Sequence, residues 1–296
     1  MSITIIACMA IVIEVYLRMA WGFCNAPLYR ASNRYEYMAL PNQDGIRFGY
    51  HYHFNSYSQR SEEPDTTRRI VLGLGDSVIY GGVMSDQDSI ATSIFSREMG
   101  FQMLNISAGS WGPDNCSAYL EENGLFGASA IWLLVSSHDA HDVMTYDPVV
   151  GVHPSYPDRQ YNSAICELLD RYVFPRLFHS SKKNNDVDPD QKVLNGIDKR
   201  NSVGDTLLNP GFDKLKQMAD SANIPLYVCL HATLPEFNAG KYDEQGEEII
   251  SWCNQHNVFL VKDLEEGLTD KMFRDNIHIN DMGQRLEAQI MKKYIK

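Results

Sequence analysis

The sequence predicts an open α/β fold in which helices cover both faces of a parallel sheet, and three observations lead to this expectation. After residue 68, short runs of mostly apolar residues recur along the chain, which is typical of strands buried on both faces. Stretches of helical character lie between these runs, and strands that alternate with helices indicate a doubly wound sheet. The 296 residues, 44% of them hydrophobic, suffice for one such domain with extensions.

Five apolar runs are the predicted strands, and they lie at residues 70–74, 102–106, 130–135, 225–230 and 257–261. The predicted helices lie at residues 89–99, 114–123, 211–222, 243–255 and 281–295. In the first of these helices, Ile90, Ile94 and Phe95 fall on one face, as expected for a helix that packs on a sheet. The pattern therefore predicts five strands and the helices that connect them.

Three regions fall outside this alternation. Residues 24–66 are rich in Tyr, Asn, Arg and Ser without a clear period, and we expect an irregular extension that packs on a main domain at 67–296. An insertion at about 143–210 contains a helical stretch at 164–178 and a polar tract at 180–204. Because the insertion follows the third strand, it lies above the carboxyl edge of the sheet, either as a lid or as an idle surface loop.

The third such region is the apolar segment at 1–23. Ile3 to Ile13 are nearly all apolar, and the stretch is long enough to cross a bilayer if Glu14 and Arg18 lie inside it or at its edge. No basic residue precedes it, so the pattern of a cleavable signal peptide is missing. We expect a membrane anchor, with a buried or interfacial helix as the alternative.

Charge and cysteine content exclude several classes of partner. The chain has 26 Lys and Arg against 38 Asp and Glu, a formal net charge of −12, and no basic run flanked by aromatics. Binding to nucleic acid needs clustered cations and is therefore not expected. None of the six cysteines forms a Cys-x-x-Cys pair, so neither a zinc site nor a disulfide framework is indicated, and no cofactor is expected.

Ser77 is the first candidate functional residue. It follows Gly73-Leu74-Gly75-Asp76 at the end of the first predicted strand, where glycines permit a tight turn that holds a hydroxyl clear of the backbone. A serine here could equally be a plain helix N-cap.

Asp275 and His278 follow the fifth predicted strand. A histidine that acts as a general base needs a carboxylate on its far nitrogen, and a separation of three residues in a loop lets Asp275 fill that role. Gly109 and Ser110 follow the second strand and His138 follows the third. In an open α/β sheet the carboxyl ends of the strands collect ligands and catalysis, so these residues are expected at one edge.

The motifs resemble those of the SGNH/GDSL hydrolase family, over roughly residues 68 to 296. Gly75-Asp76-Ser77 is similar to the first block of the family, residues 105–112 to the second, and Asp275 with His278 to the last. The resemblance implies a flavodoxin-like, three-layer α/β/α fold with a five-stranded parallel sheet. It also implies ester chemistry, with Ser77, His278 and Asp275 as a catalytic triad and a backbone N–H of Gly109 or Ser110 in the oxyanion hole.

The third block departs from the family pattern. Where the family has Gly-x-Asn-Asp, this chain has Ser136-Ser137-His138-Asp139, so that His138 replaces an asparagine that donates to the oxyanion. An imidazole N–H can donate as well. Residues 138–142 contain two histidines and two aspartates, but no further ligand cluster supports a metal site. His231 is expected to be structural.

The resemblance implies a serine ester hydrolase that acts on acyl, chiefly acetyl, esters of a carbohydrate, since anchored members of the family often do. An O-acyltransferase with the same site and a non-catalytic glycan-binding or scaffold protein remain alternatives. The expected location is a membrane anchor with the catalytic domain outside the cytoplasm. Arg18, Arg30 and Arg34 after the apolar segment favour the cytoplasmic alternative by the positive-inside rule.

Overall fold

The centre of the molecule is a five-stranded parallel sheet, in a computed structural model that describes residues 3–178 and 207–296. Its strands are β5 (Ile70–Gly75), β6 (Gln102–Ser107), β7 (Ile131–Ser136), β8 (Leu226–His231) and β9 (Phe259–Lys262). They are ordered β6-β5-β7-β8-β9, which is the flavodoxin-like order. Every residue of β5, β6 and β7 is buried, which confirms the predicted fold class.

Helices cover both faces of the sheet. Ala91–Met99 and Asp281–Tyr294 pack on one face, and Pro113–Asn123, Gly211–Ser221 and Glu244–Gln255 pack on the other. Alternate residues of each strand enter separate apolar cores, since Val71 lies in one core and Leu72 in the other. The predicted helices are therefore present, with ends that differ by up to two residues.

The segment at 24–66 corrects the expectation of an irregular extension. It contains two antiparallel hairpins, formed by β1 (Tyr29–Ser32) with β2 (Glu36–Ala39) and by β3 (Gln43–Arg47) with β4 (Tyr50–Phe54). The strands have only four or five residues, so that most of them show no readable alternation. The exception is β4, in which Tyr52 and Phe54 are buried and alternate with histidines.

The described part of the insertion contains one long helical run. It consists of the helix Ala164–Leu168, a π-helical turn at Leu169–Val173 and the helix Phe174–Phe178. The helical run continues past Pro175, although proline has no backbone N–H to donate within a helix. The wider π-helical turn just before it changes the hydrogen-bond pattern there and accommodates the missing donor. The predicted polar tract at 180–204 lies outside the described residues.

The apolar N-terminal segment is a helix, Ile3–Trp21. Its mean hydropathy reaches 2.0 over 18 residues, of which 6% are buried, and it is long and apolar enough to cross a membrane. Near its end the carboxylate of Glu14 accepts hydrogen bonds from the backbone N–H groups of Ala164 (2.8 Å) and Ile165 (3.0 Å). Arg18 donates to the carbonyl of Asn162 at 2.7 Å.

A buried ion pair fixes the chain just after this helix. Arg47 and Glu167 lie 2.6 Å apart, and both side chains are at most 2% exposed. The Arg47 guanidinium stacks over the rings of Phe23 and Phe48, and both rings contact Tyr172. We call these five residues the joint. Since a buried charge without its partner is strongly destabilising, the joint holds the helix and the domain in one arrangement.

Candidate active site

The turn after β5 presents the hydroxyl of Ser77. Gly75 has φ 150°, and a Cβ at this position would lie 2.4 Å from the carbonyl oxygen of Leu134, so only glycine fits. Asp76 caps the short helix Ser77–Tyr80 by accepting a hydrogen bond from the N–H of Val78 at 2.8 Å. Because Asp76 is the N-cap, the hydroxyl of Ser77 is left for another role.

The loop before the last helix brings Asp275 and His278 to the same place. Asp275 Oδ1 accepts hydrogen bonds from the backbone N–H groups of Ile277 (2.9 Å) and His278 (2.7 Å). Its other oxygen lies 2.7 Å from His278 Nδ1, and His278 Nε2 lies 2.9 Å from Ser77 Oγ. The structure therefore brings together three predicted residues, although Ser77 and His278 are 201 positions apart in the chain.

Electrostatics keep the Asp275 carboxyl ionised. Burial would raise its pKa, but the hydrogen bond and charge of His278, together with two backbone N–H groups, bring the pKa below its ordinary value. A carboxylate at Nδ1 accepts that N–H and leaves the lone pair of Nε2 directed at the hydroxyl of Ser77. This arrangement can remove a proton from Ser77 and stabilise the imidazolium that results.

Gly109 and Ser110, the predicted backbone donors, lie in the turn after β6. Within residues 3–178 and 207–296, the backbone N–H of neither residue donates to a protein acceptor. The carbonyl of Gly109 accepts a hydrogen bond from the Tyr37 hydroxyl at 2.7 Å. A Cβ on Gly109 would lie 2.8 Å from the Tyr156 hydroxyl, so this turn is packed against the insertion. Both N–H groups are thus available to a ligand.

His138 lies beside the carboxyl groups of Asp76 and Asp139. Its side chain is 21% exposed, and its Nε2 is 3.7 Å from Asp139 Oδ1, too far for a hydrogen bond. Burial and the negative charge of Asp76 raise the pKa of Asp139 well above its ordinary value. The described residues give the His138 ring no hydrogen bond that would prevent it from donating to a substrate.

Among the described residues, Asp76, His138 and Asp139 could together hold a metal ion. One carboxyl or imidazole atom from each residue lies within 4.8 Å of the other two. The sequence cluster at 138–142 does not converge as a whole, because His141 Nε2 instead lies 2.8 Å from Glu248. The sequence pointed to His138 and Asp139 but not to Asp76 as their neighbour.

His231, expected to be structural, supports the loop that carries Asp275 and His278. Its Nδ1 lies 2.5 Å from Asp263 Oδ2, and its Nε2 lies 2.8 Å from the carbonyl oxygen of Ile277. Both partners are acceptors, so both ring nitrogens donate and the imidazole is protonated. Burial would lower the pKa of His231, but Asp263 and the Ile277 carbonyl raise it to about 9.

The raised pKa of His231 predicts how stability depends on pH. Because the folded-state pKa is above the ordinary value, the contribution is complete below about pH 6.5 and is lost as pH rises towards 9. We expect the free energy of unfolding to fall by up to about 3 kcal/mol over that range. Chemical unfolding of the full chain in detergent measures it. His231→Gln should flatten the dependence, the exposed His256→Gln should not, and equal profiles in all three proteins would contradict the assignment.

In fold, the chain is similar to solved structures of lipolytic proteins and esterases. No protein-family model and no curated protein matches it. A member of the lipolytic protein G-D-S-L family from Veillonella parvula is 12% identical, with 77% of this chain and 98% of that chain covered and a TM-score of 0.43. The esterase EstA from Pseudoalteromonas sp. is 13% identical, with 77% of this chain and 96% of that chain covered and a TM-score of 0.40. A two-domain esterase active on acetylated mannans is 12% identical, with 77% of this chain and 48% of that chain covered and a TM-score of 0.40. These structural neighbours are G-D-S-L lipolytic proteins and esterases.

Proposed function

We propose that this protein is a serine ester hydrolase in which Ser77 is the nucleophile. The observation that supports it most directly is the continuous chain from Asp275 through His278 to Ser77, with separations of 2.7 Å and 2.9 Å. Each separation is within the range expected between a nucleophile, its base and the group that orients the base.

The proposed reaction has two acyl-transfer steps. Ser77 Oγ attacks the ester carbonyl, its proton passes to His278 Nε2, and a bond forms between Oγ and the acyl carbon. The bond from the acyl carbon to the alcohol oxygen then breaks, and His278 returns the proton to the departing alcohol. In the second step His278 takes a proton from a water molecule, whose oxygen bonds to the acyl carbon. The bond from the acyl carbon to Ser77 Oγ then breaks, His278 returns the proton to Oγ, and the acid is released.

The negative charge that develops on the attacked carbonyl oxygen is stabilised by hydrogen-bond donors that are in position before the reaction. We assign this role to the backbone N–H groups of Ser77 and of Gly109 or Ser110, with the side chain of His138 as an additional donor. Gly109 and Ser110 are half-buried, and the absence of a protein acceptor for their N–H groups among the described residues leaves both able to donate to a substrate, which supports the assignment.

The substrate class that we propose is an acyl ester of a carbohydrate, with acetyl as the first candidate. It follows from the family resemblance and from the apolar N-terminal helix. The crowded turn at Gly109, where the Tyr156 hydroxyl fills the space beside the Cα atom, also favours a small acyl group.

Covalent labelling is the direct test. A fluorophosphonate probe should modify the full-length protein at Ser77, and peptide mass spectrometry should locate the label. Absence of labelling would favour a non-catalytic glycan-binding protein, whereas labelling that Ser77→Ala leaves unchanged would contradict Ser77 as the nucleophile. Hydrolysis of an acetyl ester with and without a glycan acceptor then separates the two enzymatic possibilities: release of free acetate supports the hydrolase, and acetate transferred to the glycan supports a transferase.

We further propose that helix Ile3–Trp21 anchors the protein in a membrane, with the catalytic domain outside the cytoplasm. The exposure of nearly the whole apolar helix supports the anchor. The full chain should therefore sediment with membranes and resist extraction by carbonate, whereas a chain that begins at Asn25 should stay in the supernatant. Protease added to intact spheroplasts should cut the domain. Full-length protein that is soluble without detergent would contradict the anchor, and protection from protease would contradict the orientation.

A further inference from the structure

The charged residues of the N-terminal helix are bound by the domain. Inside hydrocarbon, Glu14 and Arg18 would be costly. Here the Glu14 carboxylate accepts from two backbone N–H groups and the Ser163 hydroxyl, and Arg18 donates to the Asn162 carbonyl. The start of the helical run at Ala164 therefore lies beside the N-terminal helix at the level where the uninterrupted apolar surface of that helix ends, since every residue from 3 to 13 is exposed.

The direction of the neighbouring helix shows which part of the domain is closest to the apolar surface. Glu14 contacts Ala164, and nine residues later Phe23 contacts Tyr172 with ring centroids 5.7 Å apart. The helical run that starts at Ala164 thus runs alongside the N-terminal helix in the same direction. Its first residues, together with Ser163, which also contacts Glu14, are the part nearest to the apolar half.

The loop before this helical run is connected directly to the candidate active site. The Pro157 carbonyl accepts a hydrogen bond from the N–H of Tyr29 at 2.8 Å, and the hydroxyl of the adjacent Tyr156 packs against Gly109. The six Cα–Cα steps from Tyr156 to Asn162 can span at most about 22 Å, and the Tyr156 side chain adds about 10 Å to the Cα atom of Gly109. The turn that carries Gly109 is consequently held within about 35 Å of the point where Arg18 meets the domain.

We propose that residues 163–166, at the start of the helical run, rest on the lipid headgroups, and that the ester this protein hydrolyses is carried by a molecule held in the same bilayer, an acylated glycan on a lipid. The inference rests on the proposed ester hydrolysis and membrane anchoring. A domain fixed at the surface meets a membrane-borne ester at a high effective concentration, and a freely dissolved ester gains nothing from the arrangement.

The substrate test compares one ester in two forms. Full-length protein in phosphatidylcholine vesicles is given an O-acetylated alkyl glycoside with a long alkyl chain, or the corresponding methyl glycoside in solution. The kcat/KM for the long-chain ester should exceed that for the methyl ester by about 10²-fold or more. The double variant Glu14→Gln, Arg18→Gln keeps the apolar helix and the joint but loses the charged contacts of Glu14 and Arg18 with the start of the helical run. It should reduce this ratio at least ~10-fold, with turnover of the methyl glycoside unchanged.

A matched control exists in helix Gly211–Ser221, where Lys216 and Asp220 form an ion pair with the same i,i+4 spacing. The variant Lys216→Gln, Asp220→Asn should retain the wild-type ratio. A wild-type ratio near 1, or a ratio that the Glu14→Gln, Arg18→Gln variant leaves unchanged, would overturn the substrate proposal. Failure of the wild type to hydrolyse either glycoside would instead contradict the proposed ester hydrolysis.

Contact with lipid is tested without any activity. Benzoylphenylalanine at the exposed Cys166, in the first turn of the helical run, should crosslink to phosphatidylcholine on irradiation, detected as a mass shift of the peptide. The same residue at Phe259, which is 55% exposed at the amino end of β9, should not crosslink. Equal crosslinking at both positions, or none at Cys166, would overturn the proposed contact.

Discussion

Replacement of Ser77 by alanine is expected to lower the turnover of a small acetyl ester by at least ~10³-fold, because members of a nucleophile–base–carboxylate set act as a unit. For the same reason, adding His278→Ala to Ser77→Ala should cost little more. The measurement is the steady-state rate of acetate release by full-length protein in detergent.

The serine control for this prediction is Ser251→Ala, an exposed position in helix Glu244–Gln255 whose hydroxyl accepts a hydrogen bond from Gln255. It should retain the wild-type rate. A Ser77→Ala protein that is folded and still within a few-fold of the wild-type rate would rule out the proposed mechanism.

Replacement of His138 by alanine should lower turnover by about 10²–10³-fold if its ring donates to the oxyanion, which is the usual effect of losing one such donor. His138→Asn should recover much of the loss, since an amide N–H can fill the role. An imidazole changes its charge and its number of N–H donors with pH, whereas an amide does not. The pH profile of the wild type should therefore contain a term that the asparagine variant lacks.

The nearby His141 provides the comparison, because it belongs to the same turn but pairs with Glu248. His141→Ala should stay close to the wild-type rate. Since His278 also titrates, the profiles of wild type and His138→Asn must be compared with each other. If His138→Ala is within a few-fold of wild type and the two profiles coincide, the oxyanion is held by backbone donors alone.

The sheet and its catalytic edge could be predicted from sequence because both depend on simple repeated signals. Strands buried on both faces are uniformly apolar, and parallel strands end at one edge, so Ser77 and His278 were expected to be neighbours across 201 positions. The short helix Leu234–Ala239 carries a readable signal that was missed, the capping box formed by Thr233 and Glu236.

Contacts between distant polar residues leave no such signal. Arg47 and Glu167 are 120 positions apart, and neither flanking sequence shows that both side chains are buried together. The role of His231 depends on two acceptors that are brought in by the fold, Asp263 and the Ile277 carbonyl. A histidine after a strand could be expected to be structural, but its protonation state depends on partners that only the structure identifies.

Under the proposed membrane anchoring, the joint also affects how often enzyme and substrate meet. A domain on a flexible linker tumbles and samples a volume, but the Arg47–Glu167 pair and the rings packed around it hold this domain at one tilt to the helix. Rotation about the membrane normal and lateral diffusion then remain, so the search for a membrane-borne ester takes place in two dimensions. For vesicles that carry both the enzyme and the ester, dilution with buffer should leave the rate per enzyme unchanged. Dilution of the ester within the bilayer by plain lipid should lower the rate in proportion to the density of the ester per unit area.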